Sequence, residues 1–176
     1  MGYDMTMEIS ALNEIFVEFY YWITVPLMFL IHVGFCLYEV SISRAKNHMH
    51  TLMKNAMLIP VVTITFFLFG FWIWFAGQGP FGDFAGGTTG LPWDATMGAN
   101  VKDHIMGVFW AAFLLFSWTA ASIVSGAVIE RIRTGAFLIL AVLVGSVTWM
   151  IDAAWGWSPA GWMVTDWGYH DAYASG

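Results

Sequence analysis

Between His104 and Glu130 the chain runs for 25 residues without a charged side chain. Wound into a helix at 1.5 Å per residue, such a run is roughly 37 Å long, enough to cross a hydrocarbon core of about 30 Å with some tilt. It stops at Glu130-Arg131-Ile132-Arg133, the densest charge cluster in the sequence. Its second half is built from small residues, with Ser117, Ala121 and Ser125 at i, i+4 steps and Ser122 and Gly126 on a neighbouring row. Small residues at that spacing let another helix approach closely, which is how membrane helices associate when lipid supplies no hydrophobic drive. Phe113 and Phe116 are three apart and share one face just above this small-residue half. The stretch predicts a membrane helix packed inside a bundle.

Three further runs have the same character, at 19–38, about 57–76 and 134–151, and the central one covers about 105–129. Only 10% of the residues are charged, against about 25% in soluble domains. The expectation is a single all-α membrane domain, 1–176, of four transmembrane helices, with 77–103 as one long external loop. The single cysteine, Cys36, falls inside the first span, so no disulfide or cysteine metal site is available within the chain. Gly86-Gly87-Thr88-Thr89-Gly90 lacks the Lys-Ser/Thr and the preceding strand of a phosphate loop. His48 and His50 have no third ligand type beside them. No enzyme, cofactor or metal centre is therefore expected.

The basic residues set an orientation. Arg44, Lys46, Lys54, Arg131 and Arg133, five of the six Lys and Arg, fall at the loops joining spans one to two and three to four. Lys102 and ten of the twelve acidic residues lie on or near the opposite side. The positive-inside rule then gives a multi-pass protein of the cell membrane with its N-terminus outside. The net charge of −6 belongs to the outer face and implies no nucleic-acid partner. An acidic vestibule concentrates cations, although acidity that merely aids solubility explains the composition equally well. Residues 1–13 lack the basic n-region of a cleaved signal. Met-Gly-Tyr-Asp-Met-Thr fits a myristoylation pattern, but an outward N-terminus would not meet the cytosolic enzyme.

Within the first span, Pro26 predicts a kink or packing adjustment, and His32 should face protein, where a structural role is the simpler reading. The segment 32–47 then carries Gly34, Phe35, Leu37, Glu39, Arg44, Lys46 and Asn47. At seven of fourteen positions these match the first-loop signature of the ammonium transporter family (Amt/Rh/MEP), with Val40 and Ser41 where small residues are usual. Residues 68–77 resemble the family pattern in part, and Trp72 and Trp74 are read as interface-belt aromatics. Phe116 through Arg131, with its Ser-Gly-Ala and Glu-Arg, resembles the third-helix pattern, continued by 136–139. Trp157 matches a tryptophan of the outer cation site. Ile151 and Ala154 stand where the family has Pro and His, and Asp152 adds a charge. Residues 171–176 resemble the entry to the fifth family helix.

The resemblance implies the first half of an inverted-repeat transporter, four helices plus the start of a fifth. It implies a homotrimer in the lipid bilayer, a missing C-terminal half, and two pore histidines beyond the chain end. The substrate would be ammonium or ammonia, with methylammonium as an alternative. Phe116, Trp157 and Asp171 would form the outer cation site, and Phe113 and Phe116 the gate. Aromatic faces attract a cation by about 0.5–2 kcal/mol, while an apolar pore favours neutral ammonia over the intact ion. The rival reading is a four-helix membrane subunit or sensor module that keeps the scaffold without transport.

Overall fold

The computed structural model describes residues 2–77 and 104–169. The expected external loop, apart from Gly77, and the segment 170–176 lie outside them. Every regular element among the described residues is helical. The helices α1 (Gly2–Ile42) and α2 (His48–Thr65) are joined by a short turn at Ala45–Asn47. A π-helical turn, Phe66–Gly70, carries α2 directly into α3 (Phe71–Ala76). The central helix is α4 (His104–Ala127). After a turn at 128–133 come α5 (Thr134–Val142), a second π turn (Leu143–Thr148), α6 (Trp149–Asp152) and a third π turn (Ala153–Trp157). The short helix α7 (Trp162–Trp167) closes the described part.

Four helical stretches are long and apolar enough to cross a membrane: Ala11–Ile42, Ala45–Trp74, Gly107–Ala127 and Thr134–Trp167. The chain is a multi-pass membrane protein of the all-α class. Charge-free runs mark where lipid is crossed, and the helices around them extend further, because nothing in the flanking sequence stops the backbone. Thus α1 continues past the 19–38 run at both ends. Pro26 sits inside it without ending it.

Half of the Gly107–Ala127 span is buried, against 17–28% of the other three. α4 is the core of the bundle, with α1 along one side and α2, α5 and the second π turn on the others. Its small residues explain the closeness. Ser117, Ala121, Ser122 and Ser125 are all fully buried, and the Ser117 hydroxyl donates to the Gly145 carbonyl at 2.7 Å. A Cβ on Gly145 would lie 2.8 Å from the Ser117 carbonyl oxygen. The backbones touch there because neither residue has a large side chain. Beside this contact the first and second π turns meet, with the Thr65 and Ser146 hydroxyls 2.8 Å apart and Gly70 packed on the Ser146 backbone.

The end of the fourth span is shaped by two glycines. A Cβ on Gly161 would fall 2.3 Å from the Trp155 carbonyl oxygen. Gly168 has φ +63°, a left-handed conformation that lets the Tyr169 N–H reach back to the Met163 carbonyl at 3.0 Å and close α7.

Candidate functional site

Apolar aromatics spaced three and four apart on one helix face form a vertical strip. On α4 that strip is Phe109, Phe113 and Phe116. Around it gather Phe71 and Trp74 from α3, Trp149 from α6, Trp157 from the third π turn and Tyr21 from α1. Phe109 and Phe113 are 4.3 Å apart between ring centres. Phe113 lies 5.2 Å from Trp149. Phe116 stacks flat on Trp149 at 5.7 Å and 2°, while Trp157 stands perpendicular to it at 5.3 Å and 85°.

Phe113, Phe116 and Trp157 line one cavity of about 390 Å³. Of the four residues singled out from the sequence, three thus share a wall; Asp171 lies outside the described residues. The opposite wall comes from α1, through Tyr20, Tyr21, Thr24 and Met28. No motif in the sequence points to these four. Their signal is spacing alone: Tyr21, Thr24 and Met28 fall on one helical face. The Thr24 hydroxyl donates to the Tyr20 carbonyl at 2.8 Å, and the rest of this wall is the Tyr20 and Tyr21 side chains and Met28. Such a chamber suits a small cation that carries its own N–H donors, because perpendicular rings offer it a π-face from two directions.

Trp74 stacks on Phe71 at 6.1 Å and meets Phe113 edge-on at 5.4 Å.

A second constellation lies at the other end of the bundle. Lys54, placed by charge counting in the loop between spans one and two, stands instead on α2 with its side chain 2% exposed. Its Nζ lies 3.6 Å from Glu39 Oε2, 3.3 Å from the Ser125 carbonyl oxygen and 4.8 Å from the centre of the Phe137 ring. Glu39, itself 1% exposed, accepts from Asn55 Nδ2 at 2.9 Å and from the Ser125 hydroxyl. His32 is also buried, its Nδ1 2.9 Å from the Ser122 hydroxyl. Three helices, α1, α2 and α4, are tied by this network. A buried charge is tolerated only when paired and hydrogen-bonded, and both conditions hold here. The sequence marked Glu39 only as a motif position, and its partner Lys54 fifteen residues on carried no signal that could pair them.

At the mouth of that end the turn after α4 is fixed by Glu130. Its Oε1 accepts from the Arg44 backbone N–H at 2.6 Å and from Asn47 Nδ2 at 3.1 Å, and its Oε2 lies 3.5 Å from Arg44 Nε. The Arg44 backbone N–H, then the Asn47 amide, hold its carboxyl below the usual carboxylate range. Glu130 adopts φ +59°, which is uncommon for a residue with a side chain; these contacts hold it there. His48 and His50 are engaged separately, with the Ser43 carbonyl and the Thr134 hydroxyl.

The family model described as Ammonium Transporter Family matches residues 19–176. The chain is 32% identical to the ammonium transporter Amt2 of Haloferax mediterranei over 96% of its own length and 35% of that protein. It is 33% identical to the ammonium transporter Amt2 of Archaeoglobus fulgidus, over 78% of this chain and 28% of the relative. The ammonium transporter of Bacillus subtilis is 32% identical over 78% of this chain and 34% of its own length. The chain spans about a third of the length of the curated relatives it matches. No solved structure matches it.

Proposed function

This chain belongs to the ammonium transporter family, and from that premise we propose that its aromatic chamber is the entrance through which ammonium is taken up and passed on as ammonia. The observation that carries this reading is the right-angled pair Phe116 and Trp157, 5.3 Å apart on the wall of a cavity of about 390 Å³. Ammonium matches potassium in charge and size, so a site that selects it must use both its charge and its N–H bonds. Ring faces supply attraction to the charge without the tight oxygen shell that would favour potassium. Asp171, by its match to the family motif, supplies a compensating charge. Phe113 and Phe116, both packed on Trp149, act as the gate: they close the chamber toward the core, so that the ion gives up its proton before crossing.

The working form is a homotrimer in the bilayer, each subunit completed by the second, inverted half of the fold. The N-terminus lies outside, and the end carrying Arg44, Lys46, Arg131 and Arg133 faces the cytoplasm. With Cys36 replaced by Ser, single cysteines at the exposed Lys46 and Asp152 test this orientation. An impermeant thiol reagent added outside should label only the second, and the reverse pattern would overturn the assignment.

The transport reading is tested by ammonium-dependent uptake in the full-length transporter, with membrane abundance measured beside it. Trp157→Leu fills space but has no π-face; a loss near 1 kcal/mol is about fivefold in affinity. Asp171→Ala should be more damaging, since the incoming charge then has no carboxylate to balance it. An unchanged concentration dependence in Trp157→Leu would remove the aromatic site from the mechanism.

A further inference from the structure

The basic end of the bundle holds a second cavity, of about 610 Å³, lined by Arg44, Lys46, Asn47, Glu130 and Arg131 together with the last turn of α4. Three cations and one carboxylate meet there. The carboxylate is already spent: both oxygens of Glu130 are taken, by the Arg44 N–H, the Asn47 amide and the Arg44 guanidinium. Lys46 and Arg131, both exposed, form no ion pair with any described residue. Their two positive charges stay uncancelled within the turn.

The neighbouring helix ends nearly cancel one another: α1 and α4 finish here with about half a negative charge each, and α2 and α5 begin here with about half a positive charge each. The positive charges of Lys46 and Arg131 therefore remain, and they favour an anion such as a phosphodiester. The location narrows the ligand further. Spans Ala11–Ile42 and Gly107–Ala127 end at this level and the spans Ala45–Trp74 and Thr134–Trp167 begin, so the cavity sits where lipid headgroups lie. The turn is also built rather than casual, since Glu130 is held in its left-handed conformation by three contacts. Those contacts keep Arg44 and Asn47 against Glu130 and leave Lys46 and Arg131 free on either side.

We propose that this cavity binds a phosphate monoanion, with Lys46 and Arg131 as its ligands, and that the membrane supplies it as the headgroup of an anionic phospholipid. Arg suits the phosphate fork and Lys acts as a point charge beside it. The Glu130 turn positions both cations without touching the anion. The site is separate from the aromatic chamber, and its test does not depend on the ammonium reading.

The test uses the full chain, purified in neutral detergent and mixed with equal amounts of phosphatidylglycerol and phosphatidylcholine, with retained lipid counted by native mass spectrometry. The expected result is at least a tenfold preference for phosphatidylglycerol. The double variant Lys46→Gln, Arg131→Gln should lose it, while Arg133→Gln, an exposed arginine outside the cavity, should keep it. Helix content by circular dichroism confirms that each variant is folded. A separate arm adds inorganic phosphate in excess. Displacement of the lipid would show that free phosphate uses the same site; persistence would show that the acyl chains contribute. Equal retention of the two lipids by the wild-type chain overturns the proposal, as does a full preference in the double variant.

Discussion

The two ends of this bundle are held together by opposite means. At the basic end, α1, α2 and α4 are joined through a carboxylate and an ammonium that are 1% and 2% exposed, with every link a directed hydrogen bond or ion pair. At the aromatic end α1 and α4, with Trp157 of the third π turn, enclose a cavity of about 390 Å³ and touch through aromatic rings. Directed bonds fix one geometry and fail together when a member is lost. Ring contacts are individually weak, tolerate sliding and leave room for a guest. Under the proposed function, the second kind of surface lies where substrate enters and the first where the scaffold must not move.

That contrast is broken most severely at Glu39. Glu39→Ala strands Lys54 and Asn55 in the core, and removing one partner of a buried pair costs about 3–5 kcal/mol. The midpoint of unfolding in detergent should fall accordingly. Removing both charges, as Glu39→Leu with Lys54→Met, should recover most of the loss, because no unpaired ion is left behind. A double variant as unstable as the sum of its parts would mean that the network specifies the fold through its hydrogen bonds rather than through charge pairing.

Next in size is the small-residue contact between the two ends. Gly145→Ala sets a methyl 2.8 Å from the Ser117 carbonyl and 3.3 Å from Val62 Cγ1. Backbone cannot step aside as a side chain does, so overpacking of about 1–3 kcal/mol follows. Gly135→Ala is the control, since nothing lies within 4 Å of a Cβ there and alanine favours the helix. The two variants should move thermal stability in opposite directions. The same sign for both would mean that α4 and the second π turn pack less closely than the geometry implies.

Phe116→Leu belongs to the aromatic end and should cost less. It loses a stacked contact with Trp149 and an edge contact with Trp157, worth about 1 kcal/mol together with the lost area. The half-buried position leaves room for leucine to settle. Stability should barely change while the ammonium concentration dependence shifts. A stability loss as large as that of Glu39→Ala would erase the distinction between the two ends.

How far each end was legible in the sequence follows from the same contrast. Phe116 and Trp157 stand in register with family motifs, and the three-residue step to Phe113 puts it on the same helix face, so that wall of the chamber could be named in advance. Its other wall, Tyr21, Thr24 and Met28 on α1, depends on how α1 crosses α4, and a crossing leaves no local pattern. Lys54 was misplaced for a related reason. Charge counting treats a lysine near a span end as a loop cation, and only the approach of α1 to α2 shows that Glu39 is waiting for it. The small residues of α4 were readable as a contact surface because lipid gives them no other use. Their partners, Gly145 and His32, were not, since a glycine or histidine in an apolar helix looks the same whatever it faces. The three π turns escaped notice because an extra residue in a turn changes hydrogen bonds and not composition.

The smallest effect sharpens the comparison at its edge, where the basic end reaches solvent. The Glu130 carboxyl is held below its ordinary range by the Arg44 N–H and the Asn47 amide. A carboxylate with a depressed folded-state pKa contributes stability that is fully present above its unfolded value, about 4.3. That contribution is lost as the pH falls through the lower folded value. The Arg44 amide proton reports it directly, because its chemical shift follows the charge it points at across 2.6 Å. Its titration midpoint, followed by NMR, should lie below 4.3, and Glu130→Gln should abolish the transition. Glu130→Gly separates charge from backbone: it relieves the left-handed strain at φ +59° but supplies no acceptor. If the turn survives in Glu130→Gly and the amide shift in wild type titrates at the ordinary carboxylate value, the backbone alone shapes this mouth. If instead the shift titrates low and the turn loosens in Glu130→Gly, the carboxylate holds it, and the directed bonding of the basic end extends from the buried Glu39 network out to the headgroup layer.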